Sequence, residues 1–372
     1  MKIIVASSGR AHLLDVAREL INIGHDVTFY SYTSKKNCLR YKFPLKHFQS
    51  LLPYAALPLC INKFFPSEFS RTFIRNSIDI AMSIQLSKCD IFICQSPYFP
   101  RSITKAKSLG IKVLLDRGST HVRYFEEQRK QYSGGKMPEY YKKLEEKEYQ
   151  ESDYIVVGSQ YVADSFIKYG VQSEKLFINN YGVNLNNFKP TTLEKENNYD
   201  LIMVGQWSRR KGCDVLASFC EKYQSLRLLH IGHITDKEIL PTTDNFTHIE
   251  PVKENQLINY YKKAKVFILL SKDEGLALVQ LQAIACGLPL VISYQTGGGD
   301  LKKKLKNQEW IQIINSHSIQ DIYISVTKAI ELASTQKGIR SYFNNINHEF
   351  SWKAYAERYE YFFKLQIFPY NI

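Results

Sequence analysis

The chain has 372 residues, 44% hydrophobic and 23% charged, and its 49 Lys and Arg against 36 Asp and Glu leave a net charge of +13. At roughly 100–200 residues per domain this length implies two cores, and the composition excludes collagenous, low-complexity and disordered classes. No run of about 18 apolar residues is present to span a bilayer, and the charge excess favours anionic partners or a Lys-rich solvated surface.

In chain order, Lys2 to Ser7 is a short buried-strand pattern, without the longer apolar region and cleavage site of a signal peptide. A helix with Leu13, Val16, Ala17 and Leu20 on one face follows, stopping at Gly24-His25 before a strand over Val27 to Tyr30. Between strand and helix, Ser7-Ser-Gly-Arg-Ala-His12 is not G-x-G-x-x-G, so the dinucleotide fingerprint is absent. Gly9 is the position for close backbone approach, with Arg10 or His12 facing the ligand. Leu51 to Phe65 is apolar and preceded by Lys35, Lys36, Arg40, Lys42 and Lys46. It reads either as a membrane-facing or lipid-acceptor surface or as a buried helix pair with a basic rim, the second slightly favoured.

Asp90 to Cys94, Val113 to Leu115, Tyr154 to Val157 and Leu176 to Ile178 continue a parallel sheet. Leu114 to His121 gathers Asp, Arg, Ser and His at a strand's carboxyl end, where α/β sites are built, and makes Asp116 and His121 candidates. Leu185 to Asn198 is polar, contains Pro190 and reads as a linker. Leu201 to Val204, Leu226 to Ile231, Val266 to Leu270, Leu290 to Ser293 and Ile311 to Ile314 then form a second alternation. The predicted architecture is α/β: two doubly wound parallel-sheet domains facing a central cleft, with ligand at the strands' carboxyl ends. An aromatic amphipathic helix over Phe350 to Phe363 closes the chain.

Two segments carry most of the chemistry. Val204-Gly-Gln-Trp-Ser-Arg-Arg-Lys-Gly212 runs from a strand end through a basic loop into a helix beginning near Asp214. A diphosphate leaving group needs fixed cations, for which Lys211 and Arg210, or Arg209, are candidates. Ser271 to Ser293 encodes a strand exit, a helix start and a stop at Gly287 with Pro289 beyond. The backbone of Gly275, Leu276 and Ala277 would offer free N–H groups to an anion. Glu274 and Gln282 are eight residues apart, roughly 12 Å along a helix, a span that suits a nucleotide sugar.

This second segment resembles the E-x7-E run of glycosyltransferase family 4, retaining sugar transferases of the GT-B fold with two Rossmann-like domains. In that pattern the first Glu meets the transferred sugar and the second the ribose; Glu274 matches, whereas Gln282 replaces the second carboxylate. The loop at Gly205 resembles G-R-x4-K-G, with Gly205, Lys211 and Gly212 in register and Gln206 in place of Arg. Tyr181 to Pro190 resembles the interdomain signature, with a turn at Gly182. Thr296 to Asp300 matches a Gly-rich loop near the donor, and Gly9 begins a run of matches that extends to Trp352.

The resemblance implies an acceptor-side domain over 1–186, a nucleotide-sugar domain over 187–346, and a C-terminal helix, 347–372, crossing back to the first domain. It implies transfer of a hexose or deoxyhexose from a GDP- or UDP-linked donor, with a lean to GDP-mannose, onto a growing glycan or glycolipid. Lys211, Arg210, Glu274, His121 and Asp116 are the expected catalytic set. Gly9, Arg10, Gly205, Gln206, Gly275, Leu276, Ala277 and Gln282 are the expected donor contacts. No cofactor and no metal are expected, because no D-x-D motif is present and the cations with a helix dipole can replace Mg2+. Seven cysteines without a C-x-x-C pair read as buried reduced thiols of a cytoplasmic protein, and the Leu51 to Phe65 stretch leaves peripheral contact with an anionic membrane as the alternative to a buried helix pair. Rival readings are a nucleic-acid-binding protein, for which no recognised module is present, an epimerase or NAD oxidoreductase, and a GT-B protein that binds without turnover.

Overall fold

The computed structural model describes residues 1–9, 11–133, 135–190, 199–336 and 349–368. Arg10 and residues 191–198 of the expected linker lie outside them. The first sheet consists of β1 (Lys2–Ser7), β2 (Asp26–Ser31), β3 (Phe48–Ser50), β4 (Ile91–Gln95), β5 (Lys112–Arg117), β6 (Tyr154–Val157) and β7 (Leu176–Ile178). Its order is β3-β2-β1-β4-β5-β6-β7, with every neighbouring pair parallel. The second sheet takes β8 (Tyr199–Val204), β9 (Leu228–Ile231), β10 (Phe246–Ile249), β11 (Ala264–Leu269), β12 (Leu290–Ser293) and β13 (Ile311–Ile314) in the order β10-β9-β8-β11-β12-β13, also parallel.

Helices on both faces explain why the strands read as near-continuous apolar runs. In β1, Ile3 and Val5 enter one core while Ile4 and Ala6 enter the other. β3 and β10 carry little sequence signal: one is three residues long and the other is only half-buried. Both sheets reverse strand order once, at β1/β4 and at β8/β11, so the loops leaving these four strands border the two switch points. This is the two-domain GT-B architecture with a central cleft.

The chain's last described α-helix, Trp352–Phe362, packs on the first domain. Tyr355 and Tyr359 are buried there, and Phe362 stacks on Phe177 with centroids 4.1 Å apart. Arg358 fixes its register, donating to Asn179 Oδ1 at 2.6 Å and to the Asn180 carbonyl at 2.7 Å.

Candidate functional site

The second domain's wall of the cleft is made by the loops after β8 and β11. The basic run Arg209–Lys211 winds into one 3-10 turn and ends at Gly212, whose φ of +71° starts the helix Cys213–Lys222. A Cβ at Gly212 would lie 2.0 Å from the Leu270 carbonyl oxygen, so glycine is needed for the approach of the two loops as well as for the dihedral. Lys272 N–H donates to the Arg210 carbonyl at 2.8 Å, zipping the loops together. In consequence Lys211 Nζ pairs with Glu274 Oε2, and Arg210 reaches the same oxygen at 3.3 Å and the Asp273 carbonyl at 2.9 Å. Burial would raise the Glu274 carboxyl, but Lys211 and then Arg210 override it and hold the group below its ordinary range. Arg209 turns away, its side chain 3.5 Å from Glu238, which leaves Arg210 as the second cation of the cluster.

The helix after β11 spans Leu278–Ala285, so Glu274 precedes it in an irregular, bent segment. The helical spacing expected between Glu274 and Gln282 therefore does not hold: the tight packing of Gly275 delays the helix. A Cβ at Gly275 would sit 2.0 Å from the Gly118 carbonyl oxygen of the first domain, and Ser159 Oγ donates to the Gly275 carbonyl at 2.6 Å. Gly275, Leu276 and Ala277 thus lead into a helix N-terminus while closing one end of the cleft. Gln282 Oε1 accepts from the Tyr261 hydroxyl at 3.2 Å, so its carbonyl oxygen is already engaged.

Gly205 and the exposed Gln206 border a cavity of about 280 Å³ with Ile231, Gly232, Pro251 and Val252. Beneath it lies a histidine pair that the sequence did not announce. His230 Nε2 is 2.9 Å from the Gly205 carbonyl, which can only accept, so this nitrogen carries the proton. Burial lowers the His230 pKa to about 4 and keeps the ring neutral, hence His248 Nδ1 donates to His230 Nδ1 across 2.9 Å.

The first domain's wall comes from the loop after β1, the end of β5 and the segment after β7. Gly9 is anchored through its carbonyl, which accepts from Ser7 Oγ at 2.6 Å and Ser31 Oγ at 2.9 Å. His12 Nε2 meets Asp116 Oδ2 at 3.0 Å, and its ring lies 4.5 Å from that of Tyr181. Burial first, then the Asp116 and Glu274 charges, raise the Tyr181 hydroxyl well above its ordinary value.

His121 does not join this set. It caps the helix Val122–Lys130, Nδ1 accepting from Arg123 N–H at 3.3 Å, and its ring stacks on Tyr169 at 4.7 Å between Tyr149 and Phe166. Burial pushes its pKa to about 4, so it stays a neutral cap. Of this cluster it is the neighbouring Thr120 that crosses the cleft, its hydroxyl donating to Asp273 at 3.2 Å. A cavity of about 640 Å³ also lies elsewhere, lined by Arg18, Lys42, Asn184, Glu254 and Trp352.

Two facing doubly wound domains with a cation–carboxylate cluster at the second switch point define a GT-B protein. Comparison with known proteins places it more closely: residues 10–187 match the model of Glycosyltransferase Family 4, and residues 185–342 that of Glycosyl transferases group 1. The protein is a GT-B-fold relative of these glycosyltransferase groups. It is similar to a sucrose-phosphate synthase structure from Thermosynechococcus elongatus, with a TM-score of 0.69, 16% identity and 99% of each chain covered. Anabaena HepE, solved with UDP and glucose, aligns with a TM-score of 0.67 at 12% identity over 98% of this chain and 100% of that one. The sulfoquinovosyl transferase of Arabidopsis thaliana is 24% identical over 219 residues, 55% of this chain and 42% of the relative. The matched region thus spans less than half the length of that curated relative.

Proposed function

We propose that this protein is a retaining, nucleotide-sugar-dependent glycosyltransferase that moves a hexose or deoxyhexose to a hydroxyl of a growing glycan or glycolipid. The observation that carries the reading is the convergence of Lys211 and Arg210 on Glu274 directly before the helix Leu278–Ala285. Two cations and a helix N-terminus converge where a diphosphate would develop charge as it leaves. With donor bound, the diphosphate takes over Lys211 and Arg210, and Glu274 turns to the sugar hydroxyls. The bond from the anomeric carbon to the diphosphate oxygen breaks, the acceptor oxygen bonds on the same face, and its proton passes to the leaving phosphate oxygen. His12 and Asp116 line the acceptor side.

The cavity beside Gly205 and Gln206 is assigned to the nucleobase, with the Gln282 amide nitrogen left for the ribose. GDP-mannose heads the donor panel and UDP-hexoses follow. Neutralisation by fixed protein groups makes the reaction independent of added metal, so transfer should persist in excess chelator. A thermal-shift panel of UDP, GDP, ADP and dTDP sugars tests the donor assignment, since a ligand at about 100 times its dissociation constant adds about 2.7 kcal/mol to stability. Full transfer by Glu274→Ala and Lys211→Ala would rule the mechanism out, and donor binding without turnover would favour a pure binding role.

The acceptor is assigned to a membrane surface. The helical hairpin Leu52–Phe64 and Glu68–Gln85 buries one face, with Ala55, Ile78, Ala81 and Met82 in the core, but leaves Leu57, Phe64, Phe65 and Phe69 65–76% exposed, with Lys63 and Arg71 exposed among them. Apolar tips ringed by cations on a chain of net charge +13 suit peripheral docking to anionic lipid. No helix among the described residues is long and apolar enough to cross a membrane. Flotation with anionic vesicles at low salt, lost in Phe65→Glu, is the expected result; equal recovery with neutral vesicles would exclude the charge component. A cytoplasmic location fits six buried free cysteines, although the seventh, Cys60, is exposed on this hairpin rather than buried.

A further inference from the structure

Asp273 stands beside Glu274 but faces the other way. Its carboxylate is 1% exposed and accepts from two first-domain hydroxyls: Thr120 at 3.2 and 3.4 Å, and Tyr161 at 3.3 Å. These donors come from separate elements, the turn after β5 and the helix Gln160–Lys168. The Arg210 guanidinium bonds the Asp273 carbonyl and the Glu274 carboxylate instead. A buried carboxylate served by neutral hydroxyls is costly for folding, and the second domain alone has no need of it. On the same seam, Asp300 accepts from Gln160 N–H at 2.7 Å and Asn180 Nδ2 at 3.2 Å.

We propose that Asp273 is a positioning residue: through Thr120 and Tyr161 it holds the loop carrying Glu274 in register with the first domain when the cleft is closed. The proposal rests on the reading above, in which Glu274 contacts the donor sugar. Opening the cleft would strip Asp273 of both donors and expose its charge to water, so its hydrogen bonds report closure directly at the neighbouring residue. The charged and titratable groups facing it are Glu274 on its own loop, Arg210 on the 3-10 turn, Arg117 on β5, Tyr161 on its helix and Tyr132 beyond the helix Val122–Lys130. Burial first, then the Glu274 charge, raises the Asp273 carboxyl to about 6 against the opposing hydroxyls and Arg210. Below that pH the protonated group keeps one strong acceptor oxygen and the tie weakens.

The test compares Asp273→Asn with the pair Thr120→Val and Tyr161→Phe. Amide exchange in peptides covering 271–277 should rise about ten-fold in each, with no further rise when all three changes are combined, because both break one tie. The turnover number should fall about ten- to a hundred-fold with donor KM within about three-fold, and the acid limb near pH 6 should vanish in Asp273→Asn. Unchanged exchange, or exchange that adds up independently across the three changes, overturns the proposal even if no transfer is measured. Glu274→Ala, assayed alongside, separates the two ideas: full transfer there removes the functional reading, while the exchange result still decides the tie. Should Asp273→Asn not fold, Thr120→Val alone removes one donor and carries the same exchange comparison.

Discussion

The two walls of the cleft are built in different ways. On the second domain's side, Gly205, Arg210, Lys211 and Gly212 come from one loop and Asp273, Glu274 and Gly275 from another, and each loop is a contiguous run of sequence. On the first domain's side, His12, Asp116 and Tyr181 come from three distant segments, and Tyr355 of the last helix packs behind them, its ring 6.0 Å from that of Tyr181. A site made from contiguous loops survives as a motif; one made by side chains meeting across strands leaves only scattered polar residues in the sequence.

The largest effect that sharpens this contrast is expected at Glu274 and Lys211. Alanine at either should lower the turnover number by about 10²–10³-fold, the scale of one lost electrostatic contact to a developing charge, as read by steady-state transfer. His12→Ala and Asp116→Asn should cost less, about ten-fold, because the first wall positions an acceptor rather than a leaving group. A greater loss at His12 than at Lys211 would invert the comparison. His121→Ala should leave transfer by the folded enzyme within about two-fold, yet lower stability by about 1–3 kcal/mol through the lost cap and ring packing, measured by denaturant unfolding. A selective loss of turnover at unchanged stability would return His121 to the catalytic set. Gln282→Glu, which supplies the carboxylate of the family pattern, should tighten donor binding by about ten-fold or less, and weaker binding would show that the Tyr261 contact matters more.

The first domain also carries a stability signature. Glu148 is fully buried, accepting from Ser96 Oγ at 2.7 Å and Phe99 N–H at 3.1 Å, and burial with the neighbouring Glu145 charge raises it to about 8. Between its ordinary range near 4.3 and about 8, the native state holds a proton that the unfolded chain has released. Stability contributed by this group is therefore full at low pH and declines as pH rises through that window. Glu148→Gln should gain on the wild type from pH 5 to pH 8 in melting temperature, whereas a constant difference would show that Glu148 is not protonated in the fold.

Most strands were legible because sheets covered on both faces require unbroken apolar runs, and the loops at the second switch point were legible because Gly212 and Gly275 sit where backbone meets backbone. His121 shows the limit. The cluster Asp116 to His121 was visible, but which of its side chains enters the cleft depends on how the next helix is capped, and there the cap took His121 and left Thr120 facing Asp273. The hairpin of Phe64 and Phe65 is a second case, since apolar content alone does not distinguish an interior face from an exposed one.

By itself the sequence determined two α/β domains, the loops that cradle charge at the second switch point, and the resemblance that goes with them, since these depend on local periodicity and glycine placement. Only the tertiary structure decided that Arg210 rather than Arg209 joins Lys211, that His12 pairs with Asp116, and that Asp273 ties the Glu274 loop across the cleft. Those outcomes depend on side-chain direction and on contacts between segments 63 to 153 residues apart, for which no local pattern exists.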